Sequence, residues 1–114
     1  MSAPAVQQLS PDVCVTGQLD PAAMAWAARA GFKSVVNNRP DFEGGPDQPT
    51  SATVQAAAEA AGLRYAHLPV SPSVQTPQEI ARFAELLTEL PKPMLAFCRS
   101  GARSTRLFNA AQQA

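Results

Sequence analysis

An α/β domain with a compact, mostly parallel sheet flanked by helices is predicted for this chain by three observations. Short apolar runs alternate with longer, Ala-rich segments in the order β-α-β-α-β-α-β-α. The helical segments carry recognisable start and stop residues. A length of 114 residues leaves room for one domain, taken as residues 1–114, whose core needs no disulfide or metal staple.

The first strand is Val13 to Thr16, with a short edge strand ahead of it over Val6 to Leu9. Asp20-Pro21 reads as an N-cap followed by proline at the first helical position, and the helix runs to Ala30 and stops at Gly31. Ser34 to Asn37 is the next strand and feeds a polar loop from Asn38 to Pro49. A second helix starts at Thr50 or Ser51 and ends at Gly62, followed by a strand over Arg64 to Leu68 and a loop over Pro69 to Val74. Thr76-Pro77-Gln78-Glu79 is a capping box, and Ile80, Phe83, Leu87 and Leu90 then share one helical face. Pro91 and Pro93 close that helix. Met94 to Phe97 forms the last strand, and the final helix opens at Arg103 or Ser104 and runs to the C-terminus. Parallel sheets bind ligands at the carboxyl ends of their strands. The loops Asn38 to Pro49, Pro69 to Val74 and Cys98 to Arg103 should meet there.

Composition narrows the function. The formal net charge is zero, which excludes a general binder of nucleic acid or of an anionic membrane surface. After Glu89 there is no acidic residue, whereas Lys92, Arg99, Arg103 and Arg106 all follow, enough for a local anion site. No segment has the apolar length of a membrane span, and the start MSAPAVQQLS has no export pattern. Two cysteines make no disulfide framework, so a reducing cytoplasm is expected. Cys14, Cys98 and the single His67 lack metal-ligand spacing, and neither a metal nor a cofactor is expected.

The segment with chemical character is CRSGARS, Cys98 to Ser104, between a strand and a helix. A short loop of this kind turns its backbone N–H groups inward, and the helix N-terminus adds partial positive charge. Gly101 allows the tight backbone turn. Arg103 can grip an oxyanion with two prongs, and the Ser104 hydroxyl is placed to donate to the sulfur. Together these favour a Cys98 thiolate at the base of an anion hole lined by Arg99, Ser100, Gly101 and Ala102. The plainer reading, a small apolar residue ending a strand, leaves the Gly and Arg spacing without a packing purpose. Cys14, in the apolar run VCV, reads instead as core, as do His67 and Trp26. Arg39 could reach the mouth of the site or sit in a surface turn. Asp41, Glu43 and Asp47 read as solvated loop charges, one of which could stand in as a general acid.

CRSGARS resembles the active loop of rhodanese-type sulfurtransferases, in which Cys and Arg bracket four residues. It is also similar to the loop of cysteine-dependent tyrosine and dual-specificity phosphatases, which is one residue longer. VTGQLDP, GFKSVVNNRPDFEG, GLRYAHLPV and AFCRSGARS together resemble a small bacterial domain family linked to both activities. The resemblance implies a dual-specificity-phosphatase-like fold. It also implies possible fusion to, or partnership with, a metallo-β-lactamase-like persulfide dioxygenase domain.

Two departures from the phosphatase pattern stand out besides loop length. Phe97 replaces the usual His before the cysteine, and Ser71-Pro72-Ser73 holds no carboxylate where the phosphatase acid would stand. Loss of a proton donor costs about 10²–10⁴-fold on a poor leaving group. The leading expectation is therefore a sulfurtransferase that passes sulfane sulfur from thiosulfate or a persulfide to a thiol or cyanide. Cys98 and Arg103 would be catalytic. Arg99, Ser100, Gly101, Ala102, Ser104 and Arg39 would bind a small anionic sulfur or phosphate substrate. The alternatives are a phosphatase acting through phosphocysteine and a non-catalytic anion or persulfide sensor.

Overall fold

The computed structural model describes residues 4–113; residues 1–3 and Ala114, where the predicted domain begins and its final helix ends, lie outside the described residues. The elements are β1 (Val6–Ser10), β2 (Val13–Thr16), α1 (Ala23–Arg29), β3 (Ser34–Asn37), α2 (Ser51–Ala60), β4 (Arg64–His67), α3 (Pro77–Glu89), β5 (Met94–Phe97) and α4 (Ala102–Gln113). They form a five-stranded sheet in the order β1-β2-β5-β3-β4. The last four of these strands are parallel, and β1 is an antiparallel edge.

The buried strands split their side chains between two faces, as the period-two pleat dictates. Val36 on β3 and Met94 and Ala96 on β5 pack against Phe83, Leu86 and Leu90 near α3 and against Leu107 and Phe108 of α4. Val35, Leu95 and Phe97 point the other way, onto Ala23, Met24 and Ala27 of α1 and Val54 and Ala58 of α2. Small residues on α1 and α2 let those helices lie close to the sheet. Each large side chain buried this way contributes about 1.5–3 kcal/mol.

Local signals account for most boundaries. Thr76 and Glu79 make the reciprocal capping box, with bonds of 3.1 and 2.9 Å, and Pro77 opens α3. On that helix Leu86 is buried, while Ile80 and Leu87 are only partly so. Asp20 Oδ1 does accept from the Ala23 N–H at 3.0 Å, but the regular helix begins only at Ala23, because residues 20–22 form a preceding turn. The final helix starts at Ala102, one residue ahead of the predicted start. No helix among the described residues is long and apolar enough to cross a membrane.

Strand β5 is central, between β2 and β3, so the chain leaving its carboxyl end emerges in the middle of that edge of the sheet. That departing segment is Cys98 to Gly101. The chain leaving β3 lies beside it: the Asn38 N–H donates to the Phe97 carbonyl at 2.8 Å. From β4, the Val70 N–H donates to the Asn38 carbonyl at 3.1 Å, drawing the third predicted loop to the same place.

Candidate active site

Cys98 directly follows β5 and is 1% exposed. Its sulfur accepts the Gly101 N–H at 3.0 Å. Burial pushes the thiol pKa up. The backbone N–H groups of Ser104, Ser100 and Gly101 outweigh it, and the net result is a thiol held below its ordinary 9.0. The amides around the sulfur, rather than the arginines, are what favour thiolate. Gly101 makes this possible with φ +97°, a backbone conformation that residues with a Cβ rarely adopt.

Ser104 fills its predicted role only in small part. Its hydroxyl donates to Asn38 Oδ1 at 2.8 Å, and Asn38 is oriented for this by donating its own amide to the Leu68 carbonyl at 3.1 Å. A hydroxyl has one proton to give. The side chain therefore adds the smallest of the effects that lower the Cys98 pKa, and the residue acts on the sulfur chiefly through its backbone.

Arg103, 5% exposed, is fixed on two sides. Its Nη1 donates to the Val70 carbonyl at 3.0 Å and, at 3.5 Å, to the Asn38 carbonyl, while Nη2 donates to Glu43 Oε1 at 3.0 Å. Its Nε is buried with no hydrogen-bond partner. An unmet buried donor costs roughly 1–3 kcal/mol, and an oxyanion seated on the Nε edge would satisfy it.

Arg39 is buried and lines the same cleft as Arg103 instead of sitting in a surface turn. It is 9% exposed, with Nε donating to Glu43 Oε1 at 2.9 Å and Nη1 to Gln18 Oε1 at 3.1 Å. Gly44 leaves the guanidinium its space, since a Cβ there would fall 2.7 Å from Arg39 Nη2. His67 supports the same residue: its Nε2 bonds to the Arg39 carbonyl at 2.9 Å, in keeping with the structural role expected of it. Arg39, Glu43, Gly44, Pro72, Arg99 and Arg103 line a cleft of about 530 Å³. The other predicted loop residues contribute less directly. The Arg99 carbonyl accepts the Gln18 N–H at 3.2 Å, the Ala102 N–H reaches Ser100 Oγ at 3.4 Å, and Arg99, Ser100 and Ala102 are exposed.

Glu43 is the residue the sequence undervalued. It reads as a solvated charge, yet its side chain is 20% exposed and its one oxygen Oε1 serves two arginines. Burial raises its pKa, but the hydrogen bonds and charges of Arg103 and Arg39 prevail and hold the carboxyl below its ordinary 4.5. Asp41, by contrast, accepts the Ser51 N–H at 2.8 Å and so caps the start of α2. Gln18 and Asn38 were also missed, because their partners lie far away in sequence. Cys14 is only partly buried, and Trp26 packs at the edge of the α1 side of the core, 6.2 Å from Phe32. No three His, Cys, Asp or Glu side chains among the described residues could hold a metal.

The amide-held sulfur of Cys98 thus ends the strand that leads into Arg103 and its cleft, and comparison with known proteins places the fold. The structure superposes on a candidate phosphatase from Neisseria meningitidis with a TM-score of 0.82 and 30% identity, over 89% of this chain and 71% of that one. A second such protein, from Shewanella putrefaciens, gives 0.81 at 20% identity over 96% and 71% of the two chains. The core catalytic domain of a PP-IP phosphatase from S. cerevisiae gives 0.67 at 14%, covering 98% and 77%; these last two speak to the fold alone. In sequence, the Beta-lactamase hydrolase-like protein of Agrobacterium fabrum is 40% identical over 78 residues, which is 68% of this chain and 18% of that protein. Its Xylella fastidiosa counterpart is 34% identical over 96 residues, 84% of this chain and 22% of that protein. The chain thus spans about a fifth of these relatives. A family description, the phosphatase-like domain of Beta-lactamase hydrolase-like protein, matches residues 5–114, and the chain belongs to that family.

Proposed function

We propose that the domain is a cysteine-dependent phosphatase that hydrolyses phosphate monoesters through a phosphocysteine on Cys98. This replaces the leading expectation of sulfur transfer with its first alternative. The observation that carries it is an amide-held Cys98 sulfur followed, on the same strand-to-helix segment, by Arg103, which lines the cleft and whose buried Nε is unpartnered. The family and the N. meningitidis relative support the same reading.

In the first step the Cys98 thiolate attacks phosphorus as the bond to the leaving oxygen breaks. Loop amides and Arg103 hold the phosphoryl oxygens, whose charge is greatest in the transition state. In the second step water attacks the phosphocysteine, inorganic phosphate departs and the thiolate returns. No cofactor enters either step. The cytoplasm remains the proposed location, and a persulfide dioxygenase domain the proposed partner.

One observation favours sulfur transfer as a second reading. Only four residues separate Cys98 from Arg103, a tight loop for a tetrahedral phosphoryl group, and residues 69–74 carry no carboxylate. A persulfide on Cys98 would be stabilised by the same amides. Parallel assays decide between the two: 4-nitrophenyl phosphate for phosphatase activity, thiosulfate plus cyanide for sulfur transfer. Hydrolysis of the phosphate, abolished by Cys98→Ser, is the expected outcome; thiocyanate formation without hydrolysis would reverse the assignment.

A further inference from the structure

The loop that would ordinarily carry a phosphatase's acid has none here, yet a carboxylate reaches the pocket from another loop. Glu43 Oε1 bridges Arg103 Nη2 at 3.0 Å and Arg39 Nε at 2.9 Å at the mouth of the cleft above Arg103. Both guanidinium groups have other anchors. Arg103 is held through Nη1 by the Val70 carbonyl, and Arg39 through Nη1 by Gln18. Neither depends on Glu43 to stay in place. Two-pronged binding of an oxyanion uses Nε and Nη2 of one arginine together. In Arg103 the carboxylate occupies Nη2 and leaves the buried Nε unpartnered, so Glu43 fills part of the place an oxyanion would take.

We infer that Glu43 is the proton donor and acceptor of the reaction, displaced from Arg39 and Arg103 when a dianionic phosphate monoester enters. This rests on the phosphatase reading. The charged groups facing Glu43 are Arg39 from the end of β3 and Arg103 from α4, with Arg99 on the cleft wall; Asp41 of its own loop is engaged at α2. A dianion takes over the arginines and brings its own negative charge beside the carboxylate. Both changes favour the protonated acid, and Glu43 takes one proton from solvent. As the Sγ–P bond forms and the P–O bond breaks, that proton goes to the leaving oxygen, releasing an alcohol or phenol. Glu43, now a carboxylate, accepts a proton from the water that attacks the phosphocysteine, and phosphate leaves.

Two measurements on the whole chain test this. Calorimetry with sulfate, run in buffers of differing ionisation enthalpy on a Cys98→Ser background, should show proton uptake with Glu43 and none in Glu43→Gln. Equal uptake in both would overturn displacement of Glu43, whatever reaction the site performs. The second measurement compares kcat/KM on 4-nitrophenyl phosphate and on phenyl phosphate, whose leaving group resembles tyrosine with a pKa of about 10. Glu43→Gln should lose far more on the phenyl ester, by ~10²–10⁴-fold, and Glu43→Asp should recover part of it. Equal losses on both esters would reduce Glu43 to a positioning residue, and a Glu43→Gln protein that keeps full kcat/KM on the phenyl ester would make it a mere competitor; either overturns the proposal. Should wild type hydrolyse neither ester while sulfate uptake behaves as expected, the phosphatase reading falls and only the displacement stands. Circular dichroism of each variant separates loss of fold from loss of function.

Discussion

Glu43 Oε1 and Arg103 Nη2 lie 60 positions apart in the chain and 3.0 Å apart in the fold, and the same oxygen also takes the Arg39 Nε–H. The loop between β3 and α2 and the first turn of α4 are thereby tied over one cleft. The carboxyl is held below its ordinary 4.5, so the linkage has a definite sign. A depressed carboxyl contributes stability above its unfolded pKa and loses it as pH falls through the folded one.

Thermal unfolding of wild type and Glu43→Gln should therefore differ most above about pH 4.5 and converge as the solution is acidified below it. A difference that stays constant through that range would show that the ion pair does not contribute to the fold.

Arg103→Lys should weaken sulfate or phosphate binding by roughly 10- to 100-fold, the worth of a charged hydrogen bond of ~1.5–3 kcal/mol. A lysine brings one point charge where a guanidinium offers a planar fork. Titration calorimetry checks it, and unchanged affinity would remove Arg103 from the site.

The Cys98 thiol should ionise below 9.0, and Cys14, raised by burial, above it. Thiolate absorbance followed against pH in Cys14→Ala and Cys98→Ala proteins reads each group alone. Because the depressed Cys98 pKa makes its ionisation stabilising, its contribution is complete above ~8.5–9 and fades as pH falls through the folded value. A Cys98 midpoint at or above that of Cys14 would contradict the amide cradle.

Gly101→Ala should cost about 1–3 kcal/mol, because φ +97° is strained for any residue with a Cβ, and should also raise the Cys98 midpoint by disturbing the amide at 3.0 Å. Thr76→Ala is the control. It removes half of a capping box for about 1 kcal/mol and should leave the Cys98 titration where it was. Chemical denaturation of both variants gives the two costs, and a shift of the thiol midpoint in Thr76→Ala would mean that it reports general loosening.

What was legible in the sequence was what is decided locally. Thr76 and Glu79 lie three residues apart and cap each other, and Cys98, Gly101 and Arg103 follow one another over six positions from the end of β5 into α4, so their strand-to-helix setting is a local feature. The place of β5 between β2 and β3 follows from crossovers that no window of sequence displays. The hidden parts of the site share that cause. Ser104 turns to Asn38 across 66 positions, and Gln18 meets Arg39 across 21. Glu43 looked solvated because its loop is rich in Gly, Pro and Asp, and only the folded chain supplies its two arginines.

Rapid acid quenching during turnover of 4-nitrophenyl phosphate, followed by intact-protein mass spectrometry and peptide mapping, tests the nucleophilic role of Cys98 most directly. One phosphoryl group should appear on Cys98, with Cys14 unmodified and no thiol-linked phosphate in Cys98→Ser. Turnover that proceeds with Cys98 unmodified, or that survives Cys98→Ser undiminished, would contradict phosphocysteine catalysis. A single added sulfur from thiosulfate, discharged by cyanide and never accompanied by phosphorylation, would contradict it in favour of sulfur transfer.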